Sequence, residues 1–172
     1  MMNAKKNPIV LLTTSMGNIK LELYPEKAPL TVKNFVDYVE SGHFNQTIFH
    51  RVIDGFMIQG GGFNQEFDQK PTKASIKNEA HNGLKNIRGS IAMARTNEIH
   101  SASSQFFINL VDNDFLNFRS PAAHEYGYCV FGQVIEGLEV VDKIGKVKTG
   151  SKGPHRDVPL ETVEILSATQ AI

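Results

Sequence analysis

The chain has 172 residues, of which 41% are hydrophobic, so it is long enough for one well-buried core and short for two. Its 18 lysines and arginines balance 18 aspartates and glutamates, and this zero net charge gives no support for nucleic acid or an anionic membrane as an obligatory partner. The single cysteine, Cys129, excludes an internal disulfide framework, and no apolar run approaches the roughly 18 residues of a membrane-spanning helix. We therefore predict one domain over residues 1–172, with flexible tails at about 1–7 and 169–172.

The first predicted element is a β-hairpin. Residues 9–14 and 19–24 flank the turn Ser15-Met-Gly-Asn18, and the second of these segments alternates apolar with polar side chains, which indicates one buried face. The apolar run from Ile9 to Leu12 follows two lysines but is shorter than the roughly 7 to 15 residues of a signal-peptide core. We therefore expect a cytoplasmic protein.

Two segments have the period of amphipathic helices. The first has Pro29 near its first turn and Ser41-Gly42 as its stop. Its apolar residues recur at i, i+3, i+4 and i+7: Val32, Phe35, Val36 and Val39. The second helix is predicted from about 136 to 144, with Gly145 as its cap.

Short segments with strand composition, separated by turn residues, make up most of the remainder. They are residues 48–53, 56–60, 90–94, 105–110, 128–135 and 163–167. Six or more short strands with only two helices predict a mainly β fold, a closed or nearly closed antiparallel barrel, because closure removes exposed strand edges. Bulky aliphatic strand residues predict a filled lumen and disfavour a barrel that carries a small apolar ligand. Segment 146–159 contains glycine, lysine and proline, and we predict a solvated loop there.

One stretch beginning at Phe49, FHRVIDGFMIQGGGF, places a single arginine among aromatic and apolar neighbours. Asp54-Gly55 predicts a hairpin turn between two strands. Counting by two places Phe49, Arg51 and Ile53 on one strand face and His50 on the other. An arginine in this setting is either a surface residue whose aliphatic stem covers apolar surface, or a cation held at the edge of an apolar site.

Other chemistries have less support from the sequence. The six histidines show no metal-ligand spacing with one another or with Cys129, so we predict no metal and no cofactor. Cys129 lies in an apolar strand and is predicted to be a core residue, and His50 is predicted to be structural. The three glycines at 60–62 lack the following Lys-Ser or Lys-Thr of a phosphate-binding loop, so a tight bend is the better interpretation.

Three blocks of the sequence resemble the signatures of the cyclophilins, the cyclosporin-binding class of peptidyl-prolyl cis-trans isomerases. The blocks cover residues 49–63, 89–95 with 103–109, and 114–116 with 128–132. They occur in the family's order and, with their flanks, span roughly residues 8–168. The closest likeness is to the cytoplasmic bacterial type of the family.

The resemblance implies an eight-stranded antiparallel β-barrel with an α-helix capping each end, and it implies roles for individual residues. The implied catalytic residues are Arg51, Phe56, Gln59 and Phe107. The implied substrate-binding residues are Met57, Ala94, Arg95, Gln105, Phe115, Leu116 and Tyr128. Among these, the proline pocket is matched by Phe56, Met57, Phe107 and Leu116. Gln59 and Gln105 match polar groups that hold Arg51 or the peptide, and Ala94 with Arg95 matches the strand whose backbone pairs with the substrate.

The sequence departs from the best-known members of the family at three positions. Phe115 stands where many members carry a tryptophan, so the indole donor is missing and we expect weaker cyclosporin binding. Tyr128 stands where many carry a histidine at the pocket wall, although His124 could fold into that role instead. Arg95 replaces a common asparagine and is expected to add a positive rim to the cleft.

We therefore expect a peptidyl-prolyl cis-trans isomerase that assists protein folding by acting on proline-containing unfolded or flexible protein segments. The guanidinium of Arg51 can donate a hydrogen bond to the prolyl nitrogen, whose lone pair localises only in the twisted transition state, so no general base, nucleophile or metal is required. The alternative is a proline-peptide binding module or chaperone with incidental catalysis, which needs the apolar pocket but no donor. We expect a monomer without nucleic-acid or membrane partners.

Overall fold

The computed structural model describes residues 7–171, and these form a mainly β structure with two α-helices, α1 (Pro29–Glu40) and α2 (Leu138–Gly145). The strands are β1 (Ile9–Thr14), β2 (Gly17–Leu23), β3 (Thr47–Ile48), β4 (Arg51–Ile53), β5 (Met57–Gly60), β6 (Ser90–Met93), β7 (Phe106–Asn109), β8 (Val130–Glu136), β9 (Thr149–Lys152), β10 (His155–Pro159) and β11 (Glu164–Ala171). Within the described residues, no helix has the length and apolarity needed to cross a membrane.

Nine of these strands form one antiparallel sheet in the order β3-β11-β1-β2-β8-β6-β7-β5-β4. The two edge strands, β3 and β4, are separated along the chain only by Phe49 and His50. Both edges therefore belong to one run of backbone, and counting that run as a single interrupted strand leaves eight strands around a closed ring. The junction is tight, since a Cβ atom at Gly60 would lie 2.8 Å from the carbonyl oxygen of Ile48. The predicted mainly β, barrel-like fold with two helices is confirmed, and the sheet that forms it has nine strands.

Side chains fill the barrel interior, and a helix covers each end. On α1, the ring centroid of Phe35 lies 4.9 Å from that of Phe44 and 5.6 Å from that of Phe106, the first residue of β7. Just beyond the other end of β7, Leu110 packs so closely against α2 that a Cβ atom on Gly145 would lie 2.7 Å from it. The two helices therefore lie at opposite ends of β7, as predicted.

Helix α1 begins at the predicted proline and ends one residue before Ser41. It has no capping side chain of its own at its N-terminus. Instead the carboxylate of Glu79, which comes from a distant loop, accepts hydrogen bonds from the backbone N–H of Thr31 at 2.8 Å and of Leu30 at 3.3 Å. A remote acidic residue therefore satisfies N–H groups that the first helical turn leaves without partners.

The predicted second helix is present with bounds that differ by one or two residues, and the loop predicted after it is wrong. Helix α2 begins at Leu138 and not near 136, because Glu136 still belongs to β8 and Gly137 turns the chain with a φ of +91°. Gly145 is the last helical residue and not a cap beyond the helix. Segment 146–159, predicted as a solvated loop, contains the antiparallel hairpin of β9 and β10, which buries Val158.

The predicted tails and one predicted strand face also need correction. Residues 169–171 belong to β11 and pair with β1, so they are not a free tail, while residues 1–6 and 172 lie outside the described residues. Asn7 donates a hydrogen bond to the carboxylate of Glu22 at 3.1 Å. Phe49 is fully buried in the barrel core and does not share the face of Arg51, because the break between β3 and β4 resets the alternation.

Candidate active site

One lateral row of side chains crosses the outer face of the sheet. Arg51 of β4 lies opposite Gln59 of β5, which lies opposite Phe107 of β7. Phe107 in turn lies opposite Ala92 of β6. A cation, an amide and an apolar surface are therefore adjacent in space although they come from separate strands.

Strand alternation separates this row from the barrel core. Successive side chains of a strand point to opposite faces, so Ile58 and Phe106 point inward while Met57 and Phe107 point outward. The outward set forms its own apolar cluster, in which Met57 is 2% exposed and Phe107 is 4% exposed. The floor of the site is thus built by the same strands that build the core.

Above this floor lies a pocket of about 140 Å³. Its lining residues are Arg51, Phe56, Met57, Gln59, Ala94, Arg95, Phe107, Leu116 and Tyr128. All of them are among the site residues named from the sequence. The pocket therefore combines five apolar side chains of the floor and walls with the guanidinium of Arg51, which the solvent also reaches.

Gln59 links Arg51 to a second glutamine. Arg51 Nη1 donates to Gln59 Oε1 at 3.3 Å, and Gln59 Nε2 donates to Gln105 Oε1 at 2.9 Å. Gln105 does not line the pocket itself but stands behind Gln59. Gly62 makes room for it, because a Cβ atom there would lie 2.6 Å from the Gln105 side chain. These contacts give the arginine a preferred direction along the pocket edge.

Arg95 and Tyr128 form the opposite rim. The guanidinium carbon of Arg95 lies 4.7 Å from the centroid of the Tyr128 ring, and its Nε and Nη1 atoms donate to the carbonyls of Gly127 at 3.1 Å and Thr96 at 2.9 Å. The Tyr128 ring also meets Phe107 edge-to-face at 5.7 Å. Arg95 is therefore held in place by neutral partners, and its charge faces the cleft.

Phe115 and His124 lie outside the pocket. Phe115 is 62% exposed and stacks on Phe56 with ring centroids 5.7 Å apart. Phe115 and His124 both line a neighbouring groove. Of the two residues considered for the pocket wall, Tyr128 is the one that reaches the proline-sized pocket.

Sequence reasoning missed a buried asparagine network behind the pocket. Asn113 Nδ2 donates to the carbonyl oxygen of Phe56 at 3.0 Å and to Asn109 Oδ1 at 2.8 Å. Asn109 Nδ2 donates to Asn86 Oδ1 at 3.0 Å, and Asn86 Nδ2 donates to the carbonyl oxygen of Leu116 at 3.2 Å. The network thus connects two wall residues of the pocket. The sequence carries no signal for this network, because Asn86 follows a lysine, Asn113 follows an aspartate and Asn109 lies within an apolar run.

Two titratable side chains near the site, His50 and Cys129, have structural positions and are not suited to proton transfer. Burial first, then the charges of His155 and Arg51, lowers the pKa of His50 to about 4, and its ring packs 4.7 Å from that of Phe63. Burial raises the pKa of the Cys129 thiol to about 11. At neutral pH both are therefore uncharged, and neither lines the pocket.

Comparison with known proteins agrees with this geometry. The family model for cyclophilin type peptidyl-prolyl cis-trans isomerases matches residues 9–170. Peptidyl-prolyl cis-trans isomerase B of Escherichia coli (strain K12) is 58% identical over 161 residues, which cover 94% of this chain and 98% of that protein. Peptidyl-prolyl cis-trans isomerase cyp18 of Streptomyces antibioticus is 58% identical over 159 residues, which cover 92% of this chain and 96% of that protein.

A solved structure supports the same assignment. A crystal structure of a Cryptosporidium parvum cyclophilin type peptidyl-prolyl cis-trans isomerase, in the presence of the dipeptide Ala-Pro, matches with a TM-score of 0.77 at 27% identity, covering 95% of this chain and 99% of that chain. The resemblance read from the sequence is confirmed. The chain belongs to the family of cyclophilin-type peptidyl-prolyl cis-trans isomerases.

Proposed function

We propose that the protein accelerates rotation about X-Pro peptide bonds in unfolded or flexible protein segments, with Arg51 as the hydrogen-bond donor of the transition state. The observation that carries the proposal is the position of the Arg51 guanidinium at the edge of a 140 Å³ pocket walled by Phe56 and Phe107. The relative solved with Ala-Pro supports a prolyl peptide as the occupant.

The chemistry follows from the electronic structure of the peptide bond. Delocalisation of the nitrogen lone pair into the carbonyl gives a rotational barrier of about 18–20 kcal/mol. As the bond twists, the lone pair localises on the nitrogen and becomes a hydrogen-bond acceptor that both planar isomers lack. A donor aimed at that nitrogen stabilises the transition state alone, which raises the rate and not merely the affinity. Arg51 supplies a charged donor without any proton transfer.

One hydrogen bond to a charged group contributes about 1.5–3 kcal/mol, which corresponds to roughly one to two powers of ten in rate. A larger acceleration draws on orientation and on the partly dry pocket, where the interaction is stronger. The Gln59 and Gln105 contacts support the first of these, because they restrict where the guanidinium points. Met57 and Phe107, which are nearly fully buried, support the second.

Substrate affinity should be low. Burial of three ring methylenes contributes about 2.4 kcal/mol at roughly 0.8 kcal/mol each. A short peptide that reaches about 4 kcal/mol in total binds near 1 mM. Weak binding suits an enzyme that must release both isomers. A pure binding module would need the apolar walls but not an arginine linked to Gln59, and this linkage favours the enzyme over that alternative.

The proposal is tested with a proline-isomerisation assay on a short X-Pro peptide, comparing the parent with Arg51→Ala and Arg51→Lys. We expect Arg51→Ala to lower kcat/KM by at least about tenfold while peptide affinity changes little, because the donor acts in the transition state. Arg51→Lys keeps the charge but loses the planar donor set, and we expect an intermediate rate. The role of Arg51 is wrong if the alanine variant keeps the parent's rate.

We further propose weak cyclosporin binding, because Phe115 offers an exposed ring beside the pocket but no N–H donor. Phe115→Trp should tighten inhibition by cyclosporin by about three- to tenfold, the range expected for one added hydrogen bond. An inhibition constant unchanged by Phe115→Trp contradicts this expectation.

A further inference from the structure

Two grooves flank the pocket; Arg95 lines both of them, and the second also contains Arg119. The first, of about 280 Å³, runs past Gln59 and Ala94, and Arg95 is the one charged residue of its lining within the described residues, among neutral polar side chains such as Thr96 and Ser103. The second, of about 290 Å³, shares Arg95 and Tyr128 with the pocket. A peptide whose proline occupies the pocket must pass along one or both grooves.

The second groove carries unneutralised positive charge. Its two guanidiniums belong to Arg95 and Arg119. Arg95 is bound only by backbone carbonyls and the Tyr128 ring, and Arg119 is exposed. Within residues 7–171, neither forms an ion pair with a carboxylate.

One acidic residue opposes them. Glu125 is the only carboxylate lining this groove in the described part of the chain, and its Oε1 accepts a hydrogen bond from Ser120 Oγ at 2.9 Å. The formal charge of the lining is therefore positive, and Arg51 adds a further cation on the far side of the pocket. The whole chain is neutral, so this field is local to the cleft and is not a consequence of net charge.

We propose that this groove binds an acidic side chain of the substrate, one or two residues from the proline, so that acidic X-Pro sequences are preferred substrates. The inference rests on the proposed function, since it deepens the specificity of the same site. The short reach follows from the shared wall: Arg95 and Tyr128 border both the pocket and the groove. Arg95 is already immobilised, so little side-chain entropy is lost when a carboxylate binds it.

The expected effect is modest because the groove is open to water. Exposed ion pairs of this kind change an equilibrium or rate by roughly two- to fivefold. The effect should fade with salt, since the Debye length falls from about 10 Å at 0.1 M to about 3 Å at 1 M. Salt sensitivity thus separates charge recognition from a contact made by the aliphatic part of the side chain.

The experiment measures kcat/KM by protease-free NMR exchange, which avoids the sequence preference of a coupling protease. The peptides share one X-Pro core and carry Glu, Gln or Lys at each of the two positions on either side. At low salt we expect the Glu peptide to exceed the Gln peptide by roughly two- to fivefold at one flanking position, and the Lys peptide to fall below it. At 1 M NaCl the three should converge.

Four variants assign the preference to the groove. Arg119→Gln should reduce the Glu-to-Gln rate ratio, and Arg119→Lys should keep it. Glu125→Gln should increase the ratio, because it removes the opposing carboxylate. Arg156 is an exposed arginine of β10 that does not line the groove. The control Arg156→Gln makes the same change in net charge as Arg119→Gln and should leave the Glu-to-Gln rate ratio unchanged.

The outcomes separate this inference from the proposed function. If the Gln peptide is accelerated but the Glu, Gln and Lys peptides are equal at low salt, the inference is overturned and the proposed function stands. The inference also fails if Arg156→Gln lowers the ratio as much as Arg119→Gln does. If no peptide is accelerated, the proposed function fails and this inference with it.

Discussion

Replacing Asn113 with alanine tests whether the buried asparagine network sets the shape of the pocket. The change removes two donated hydrogen bonds, one to the carbonyl oxygen of Phe56 and one to Asn109 Oδ1. The Phe56 carbonyl keeps a second donor, the N–H of Leu110 at 3.0 Å. Asn109 is fully buried, and within residues 7–171 Asn113 is the only donor to its Oδ1, so this oxygen is left without a partner.

The magnitude follows from these two losses. A buried acceptor without a partner costs about 1–3 kcal/mol, and the lost bond to Phe56 adds about 1 kcal/mol. We therefore expect Asn113→Ala to lower the free energy of unfolding by about 2–4 kcal/mol. Urea denaturation measures this directly, and Asn97→Ala, at an exposed position, is the matched control and should stay within about 0.5 kcal/mol of the parent.

The same variant has a functional readout. Asn113 ties the turn before β5 to the loop that carries Leu116, whose N–H donates to the Asn113 carbonyl at 3.0 Å. At a temperature where the variant remains folded, we expect kcat/KM to fall by about tenfold through a higher KM, because the walls and not the Arg51 donor are displaced. A variant with parental unfolding free energy and parental KM would refute this reasoning.

Three further predictions follow from buried groups. Because the pKa of His50 is lowered to about 4, the stability that its neutral form contributes is complete above about pH 6.5 and is lost as the pH falls toward 4. Over that range the unfolding free energy of the parent should drop by roughly 3 kcal/mol relative to that of His50→Phe. A difference between the two proteins that stays constant with pH contradicts this prediction. Because burial raises the pKa of Cys129 to about 11, alkylation at pH 7 should be at least about a hundredfold slower in the native protein than in urea; equal rates contradict burial. Glu79→Gln replaces one of the carboxylate oxygens at the start of α1 by an NH2 group, which faces a backbone N–H and cannot accept its hydrogen bond. The free energy of unfolding in urea should therefore fall by about 1–3 kcal/mol. An unchanged value would mean that other groups accept hydrogen bonds from the first N–H groups of the helix.

The parts of the fold that the sequence predicted are those set by local pattern. Helix α1 followed from four apolar residues at helical spacing, and the turn between β4 and β5 followed from Asp54-Gly55, whose glycine has a φ of +75°. The Arg51 and Gln59 pairing lies across that same hairpin, so it too was within reach of local reasoning. Local pattern failed where an irregular break intervened: the two residues between β3 and β4 rotate Phe49 into the core.

Long-range features could not be read in the same way. The hairpin of β9 and β10 has an almost wholly polar first strand, TGSK, and therefore lacks the alternation that marks a half-buried strand. The pairing of Gln59 with Phe107 and the linkage of Glu79 to α1 join residues more than forty positions apart. The family resemblance named all of the pocket-lining residues, but it carried no information about the asparagine network behind them.

The division of the site between strands and loops explains why chemistry and specificity can change separately. Arg51, Gln59 and Phe107 belong to strands whose neighbouring residues point into the barrel, so moving any of them would disturb the core. Phe115, in a short 3-10 helix, and Arg119 lie between β7 and β8, outside the strands of the sheet, where a side chain can change without disturbing the barrel core. Substitutions at the donor or its apolar floor are therefore expected to destabilise the fold. Substitutions that change the charge of the flanking groove are expected to alter substrate preference with little loss of stability.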